Sequence, residues 1–116
     1  MEITHRQFHR VDLLSLSGRL DAASAPQLRE AIEHLFHTGH YRIVLDMQHL
    51  AHISSAGLRV LTDARKRARE WKITDLEGGD IRLASVPPNI SEVFNLTGMS
   101  SLFAIYDDAT AAVGSF

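Results

Sequence analysis

The sequence contains no cysteine, and this absence excludes disulfide frameworks, thiolate zinc sites and cysteine nucleophiles. A chain without cysteine suits the reducing cytosol, so we expect a cytoplasmic protein. Long apolar runs are missing as well: no stretch approaches the roughly 20 apolar residues of a membrane-spanning helix. The first ten residues lack the apolar core of a signal peptide. We therefore expect no association with a membrane.

The sequence also lacks an excess of positive charge, since 12 basic and 14 acidic residues give a formal net charge of -2. Proteins that bind nucleic acid in general are normally basic, so we expect no nucleic-acid partner. The chain has 116 residues, of which 45% are hydrophobic, and no internal repeat or low-complexity tract. A chain of this length buries about 65% of its unfolded surface. We therefore expect one domain over residues 1–116, complete in itself and monomeric.

Hydrophobic periodicity predicts strands that alternate with helices. Residues 3–18 alternate, most clearly at Val11, Leu14 and Leu16, and form either one strand or a hairpin of two. The remaining predicted strands cover residues 41–47, 81–86 and 102–106, a turn covers residues 74–80, and the predicted helices cover residues 21–39, 54–70, 87–99 and 107–116. This order implies right-handed crossovers and a mostly parallel sheet with an antiparallel edge. The predicted fold class is a single α/β domain with a mixed sheet and about four helices.

The first predicted helix has recognisable signals at both ends. Ser24 is the expected N-cap, Pro26 lies near the first turn, and Gly39 supplies the stop. Gly98 is the expected stop of the third helix. The apolar stripe of the first helix consists of Leu28, Ile32, Leu35 and Phe36.

Two adjacent serines, Ser54 and Ser55, mark the point where the third strand gives way to a helix. Sites in α/β sheets gather where strands end and helices begin, and the first N–H groups of a helix are unpaired. A serine there can be an N-cap, or it can accept a phosphate that faces these donors. A hydrolase elbow needs Gly-x-Ser-x-Gly and a Walker loop needs Gly-x-x-x-x-Gly-Lys-Ser/Thr; the sequence contains neither. We therefore do not expect an enzyme.

Three stretches carry a resemblance to a known family: residues 17–32, 42–61 and 90–99. Together they resemble the STAS domain of anti-sigma factor antagonists, and the similarity extends from about Val11 to Val113. The strongest part is the apolar strand followed by the serine-rich turn and Gly57-Leu58, and the second is the element from Gly18 to Asp21.

The resemblance implies a partner switch that acts through one serine. In this family, an anti-sigma factor that is a histidine-kinase-like ATPase phosphorylates a serine in an Asp-Ser-Ser/Thr-Gly-Leu turn. The unphosphorylated antagonist binds that kinase and frees the sigma factor, and a serine phosphatase resets the system. Matching the motif makes Ser55 the phosphorylation site, with Ala56 at the second hydroxyl position and Gly57 at the glycine. Ser54 occupies the position where the family usually has aspartate. The resemblance implies no cofactor.

Two further residues are expected to contact the partner. Asp21 matches a family aspartate whose loop lies near the acceptor serine; alternatively, its carboxylate only bonds amides of its own turn. Arg59 lies one turn into the second helix and is the arginine of that helix most expected to contact the kinase. The missing aspartate at Ser54 favours an alternative function, a STAS scaffold that is never phosphorylated and is a subunit of a sensing or transport assembly.

Three other groups allow two interpretations each. His34, His37 and His40 raise the question of a metal site, but without a carboxylate pattern we expect surface histidines and no metal. The basic run at residues 65–70 is expected to be a solvated face rather than a docking patch. The third group either presents apolar contact area before the serines or fills the core, and it consists of Met47, Leu50 and Ile53.

Overall fold

The computed structural model describes residues 1–72 and 78–116, and its element order confirms the predicted alternation of strands and helices. The strands are β1 (Glu2–Gln7), β2 (Asp12–Leu20), β3 (Arg42–Ile53), β4 (Asp80–Ala84) and β5 (Ile105–Tyr106). The helices are α1 (Ala25–His37), α2 (Ser55–Glu70), α3 (Pro88–Thr97) and α4 (Ala109–Gly114), with a 3-10 turn at Met99–Ser101. The predicted turn over residues 74–80 lies outside the described residues except for its last three.

The sheet has the order β1-β2-β3-β4-β5. β1 pairs with β2 in antiparallel fashion, and the other neighbours are parallel, which confirms the mixed sheet with an antiparallel edge. Asp12 pairs with Ile43, and Arg42 pairs with Asp80, so β2, β3 and β4 all begin at the same end of the sheet. Leu20 pairs with Ile53 at the opposite end, where the chain enters the serine turn.

β3 is longer than the predicted strand over residues 41–47, because it continues through residues 48–53 as far as the serine turn. Between Ser15 and Ser17 of β2, the partner strand advances from Asp46 to His49, so β3 holds one extra residue there. A second irregularity between Gly18 and Arg19 adds another. Each extra residue shifts the inward-facing positions by one. The spacing of three between the apolar residues follows from these bulges, and the buried side chains of Met47, Leu50 and Ile53 belong to the core rather than to a contact surface.

The sheet separates two cores of unequal size. The larger core lies between the sheet and α1, α2 and α3, and it includes Leu14 and Leu16. The smaller core lies under α4 and includes Val11. Because side chains alternate along a strand, Leu14 and Leu16 face the same side of the sheet, while Val11, three residues before Leu14, faces the other side. The other buried members of the smaller core are Val44, Ala84 and Ala112.

The ends of several helices confirm their sequence signals. Gly39 follows α1 and Gly98 follows α3, both with positive φ, 84° and 77°. Pro88 opens α3. The predicted strand over residues 102–106 is shorter than expected, since only Ile105–Tyr106 pairs with β4.

Candidate functional site

Ser54 is the N-cap of α2, as the sequence predicts. Its hydroxyl oxygen accepts a hydrogen bond from the Gly57 N–H at 3.4 Å, and its carbonyl oxygen accepts one from Leu58 at 3.0 Å. The Ser54 N–H donates to the carbonyl oxygen of Leu20 at 2.9 Å. Ser54 therefore begins the helix and also attaches it to the end of β2.

Ser55 is the first residue of α2, and its side chain is exposed. Within residues 1–72 and 78–116, no hydrogen bond holds its hydroxyl. The first turn of α2 contains no acidic residue, so the partial positive charge of the helix N-terminus is not compensated there. The Ser55 hydroxyl thus lies beside backbone N–H groups that can donate hydrogen bonds to a new anion.

Gly57 lets the first turn of α2 approach β2 and β3 closely. A Cβ at this position would lie 2.7 Å from Cγ of Leu20 and 3.0 Å from Cγ1 of Ile53. Leu20 is fully buried and cannot move away without disturbing the core. Close packing therefore requires glycine at this position, and the close approach fixes the serine turn against the end of the sheet.

Asp21 follows Leu20 directly and organises its own loop. Its Oδ1 accepts hydrogen bonds from the N–H groups of Ala23 and Ser24, both at 3.1 Å. The bond from the Ser24 N–H is the largest cause that holds the pKa of the Asp21 carboxyl below its ordinary value of 3.8, with smaller contributions from the Ser24 hydroxyl, the Ala23 N–H and the Arg19 guanidinium. These hydrogen bonds confirm that the Asp21 carboxylate bonds the amides of its own turn. A contact between Asp21 and a partner stays a prediction.

Ser24 lies at the N-cap position of α1, but its side chain does not cap the helix, and this part of the prediction was wrong. Its hydroxyl donates to the Arg19 carbonyl oxygen at 2.7 Å and accepts from the Asp21 N–H at 3.0 Å. Two local features explain this. Pro26, at the second helical position, has no N–H, and Ser24 has a φ of -99° and a ψ of -15° instead of the extended backbone of a usual N-cap.

Two exposed side chains complete the surface around the serines. Arg59 lies one turn after Ser55, and in the described part of the chain its guanidinium has no ion pair or hydrogen bond. Asn89, which the sequence reasoning missed, donates its side-chain N–H to the carbonyl oxygen of Ala51 at 3.0 Å. Its position just after two prolines at a helix start is a signal that could have indicated it.

The comparison with known proteins identifies the family. The STAS domain family matches residues 2–112. The chain belongs to the STAS domain family. It is 31% identical over 116 residues to BtrV of Bordetella bronchiseptica, which is named as an anti-sigma factor antagonist; the match covers 100% of this chain and 95% of BtrV.

Solved structures of STAS domains share the fold. An anti-sigma factor antagonist from Mycobacterium paratuberculosis superposes with a TM-score of 0.82 at 21% identity, covering 98% of this chain and 92% of that one. The Bacillus cell fate determinant SpoIIAA, in its phosphorylated form, gives a TM-score of 0.71 at 17% identity, covering 98% of both chains. These similarities confirm the predicted fold class, a single α/β domain with a mostly parallel sheet.

At the amino end of its parallel strands, this STAS domain buries a carboxylate between two histidines. Asp12 is 3% exposed; its Oδ1 lies 2.7 Å from Nε2 of His5, and its Oδ2 lies 2.8 Å from Nδ1 of His40. The sequence reasoning missed this cluster, because the three residues come together only through the sheet. His40 is therefore separate in role from His34 and His37, which are exposed at the end of α1, as predicted.

A second buried carboxylate of this STAS domain lies among arginines. Nε of Arg82 lies 3.2 Å from Oδ2 of Asp80, and Oδ1 of the same carboxylate lies 3.7 Å from Nη1 of Arg69 and 4.0 Å from Nε of Arg65. The polar residues at 66–70 are exposed, as the prediction of a solvated face has it, whereas Arg65 is half-buried. Arg65 and Arg69 in addition compensate Asp80.

Residues 1–72 and 78–116 contain no group of three or more His, Cys, Asp or Glu side chains that could hold a metal ion. Over the same ranges, no helix has the length and apolar character needed to cross a membrane.

Proposed function

We propose that this STAS domain is an anti-sigma factor antagonist and that Ser55 is its phosphorylation site. The observation that carries the proposal is the difference between the contacts of the two serines. Ser54 caps α2, while the Ser55 hydroxyl is exposed, unbonded in the described chain and adjacent to helix N–H groups. The name of BtrV, which is similar over the whole length of this chain, supports the same function.

The proposed cycle has two forms. The unphosphorylated protein binds an anti-sigma factor that is a histidine-kinase-like serine kinase, using the turn from Ser54 to Gly57 together with Asp21 and Arg59. The Ser55 oxygen then attacks the γ-phosphorus of ATP, its proton leaves to the kinase, and ADP departs. A serine phosphatase hydrolyses the phosphoserine and restores the binding form. The antagonist itself is a cytoplasmic, monomeric regulator without a cofactor.

Phosphorylation acts on the interface rather than on the fold. A negative group at a helix N-terminus stabilises by about 0.3–1 kcal/mol, so the phosphorylated domain stays folded. The related fold of SpoIIAA in phosphorylated and unphosphorylated form, with TM-scores of 0.71 and 0.77, supports this expectation. Placing an unpaired charge in a buried interface costs about 2–5 kcal/mol. This corresponds to a loss of kinase affinity of roughly 30- to 4,000-fold.

The test is a phosphorylation reaction with mapping by mass spectrometry. The protein is incubated with the kinase-type anti-sigma factor of its own organism, ATP and Mg²⁺, in parallel with Ser55→Ala and Ser54→Ala. We expect one phosphate on the parent and on Ser54→Ala, always at Ser55, and none on Ser55→Ala. The unphosphorylated protein should also form a complex with the kinase that Ser55→Asp does not form. Phosphate at another residue, or unchanged binding by a folded Ser55→Asp, would falsify the proposal.

One observation favours a second candidate function. Ser54 stands where the family usually has aspartate, so the turn lacks a carboxylate that a kinase could recognise. In that case the domain is a STAS scaffold that binds its partner, in a sensing or transport assembly, without being phosphorylated. A stable complex that yields no phosphoserine after prolonged incubation with ATP distinguishes this function from the first.

A further inference from the structure

Ser55 and Arg59 occupy the same face of α2. α2 begins at Ser55, and Arg59 follows four residues later within the same helix. Residues separated by four positions on a helix lie one above the other, with Cβ atoms about 5–6 Å apart. Both residues are exposed. The long arginine side chain can therefore reach a group attached to the Ser55 oxygen.

The Arg59 guanidinium has no charged partner in the described part of the chain, unlike the arginines at the other end of α2. Arg65 and Arg69 lie within 4.0 Å of the Asp80 carboxylate. Arg59 has no ion pair within 4.0 Å in the described part of the chain, although Asp63 lies one turn further along the helix. A phosphate on Ser55 would therefore compete for the Arg59 guanidinium only with water and with the exposed Asp63 carboxylate.

The neutral residue at position 54 removes the nearest source of repulsion. A carboxylate at the N-cap would lie next to a phosphate on Ser55 and oppose it. Ser54 contributes a hydroxyl and no charge, and the first turn of α2 contains no acidic residue. The Asp21 carboxylate, one residue after Leu20, accepts hydrogen bonds from the N–H groups of its own loop, which offset part of its charge. A phosphate at Ser55 thus has helix N–H groups and the Arg59 guanidinium among its neighbours.

We propose that a phosphate on Ser55 pairs with the guanidinium of Arg59, forming charge-assisted hydrogen bonds along one turn of α2. This inference rests on the proposed function for its biological role. In the unphosphorylated protein, Arg59 is free to bind an acidic group of the kinase. In the phosphorylated protein, the same arginine is held by the phosphate. Phosphorylation therefore changes the docking surface twice, because it adds a negative group and withdraws a positive one.

The experiment introduces phosphoserine at position 55 during translation, so that no kinase is needed. The second ionisation of the phosphate is followed by ³¹P NMR in the parent, in Arg59→Gln and in Lys66→Gln. Lys66 is exposed on a similar face, eleven residues after Ser55 and so about 16 Å along the helix, which makes it a matched control for charge. Arg59→Lys tests whether a positive charge without the planar guanidinium is sufficient.

We expect the phosphate pKa to be lower in the parent than in Arg59→Gln by about 0.15–0.4, the effect of one ion pair at this spacing. Lys66→Gln should match the parent, and Arg59→Lys should fall between the parent and Arg59→Gln. Equal values in the parent and in Arg59→Gln overturn the pairing. This outcome is distinct from failure of the proposed function, which appears as the absence of phosphate on Ser55 after incubation with kinase and ATP.

Discussion

The two ends of the parallel strands handle polar groups in different ways. At the amino end, Asp12 and Asp80 begin β2 and β4, and both are buried with charged or ionisable side chains around them. At the carboxyl end, Ser54 uses backbone groups, while Ser55 and Arg59 stay exposed. At the amino end a buried carboxylate requires its partners, so removing one side of such a pair is costly. Groups at the carboxyl end can change their charge or their partner while the fold is kept.

The largest expected effect comes from removing Asp80. In Asp80→Ala, Arg82 loses the carboxylate at 3.2 Å, and two arginines of α2 lose their compensating charge. Breaking such a pair on one side typically costs 3–5 kcal/mol, and the partial exposure of the arginines places this site at about 3 kcal/mol. Urea unfolding followed by circular dichroism measures the change in the free energy of unfolding.

The matched control for this variant is Arg69→Gln. The Arg69 side chain is 53% exposed and lies 3.7 Å from the carboxylate, so we expect less than about 1 kcal/mol. If Asp80→Ala destabilises no more than Arg69→Gln, the amino end is not the stabilising end, and the contrast between the two ends is wrong.

A smaller effect is expected at the carboxyl end from Ser54→Ala. The variant removes the side-chain acceptor of the Gly57 N–H, and because that bond is long at 3.4 Å we expect a loss of about 0.5–1 kcal/mol. Ser54→Asp keeps a capping oxygen and adds a favourable charge at the helix N-terminus, so its thermal midpoint should equal or exceed that of the parent. A loss with Ser54→Asp as large as that with Ser54→Ala would contradict the capping role.

The smallest expected effect is the pH dependence contributed by Asp21. Hydrogen bonds lower the pKa of this carboxyl in the folded chain below 3.8, so folding favours its ionised form. Its stabilisation is complete above the unfolded pKa and is lost as the pH falls through the lower folded pKa. The difference in thermal midpoint between the parent and Asp21→Asn should therefore shrink as the pH is lowered from about 5 to about 2. A difference that is constant over this range would show that the carboxylate charge is not what organises the loop.

Local signals in the sequence predicted much of the fold. The alternation of strands and helices follows from periodicity, and the cap at Ser54 and the stops at Gly39 and Gly98 follow from single residues. The length of β3 could not be predicted in this way, because two bulges interrupt the alternation of side chains in its second half. Ser24 shows the same limit on a smaller scale, since its backbone conformation decides which groups its hydroxyl reaches.

The polar clusters at the amino end required the three-dimensional structure. Asp12 meets His40 only because β2 pairs with β3, which brings residues 28 positions apart within hydrogen-bond distance. At the carboxyl end, the motif did locate a turn with an exposed hydroxyl, and the structure adds the contact between Gly57 and Leu20 that holds this turn in place. The phosphorylation of Ser55 and the partner contacts of Ala56 and Arg59 stay predictions.

The extra length of β3 also determines how far the serine turn reaches. β4 last pairs with β3 at Asp46, but β3 continues beside β2 to Ile53, a further distance of about 20 Å. The turn therefore lies past the last residue of β3 that pairs with β4, on a segment that α3 contacts through the bond from Asn89 to the carbonyl oxygen of Ala51. Leu50 and Ile53 of this segment are buried, so the core holds the segment in place. The exposed Ser55 hydroxyl is thus carried beyond β4 by a strand whose position is fixed by packing.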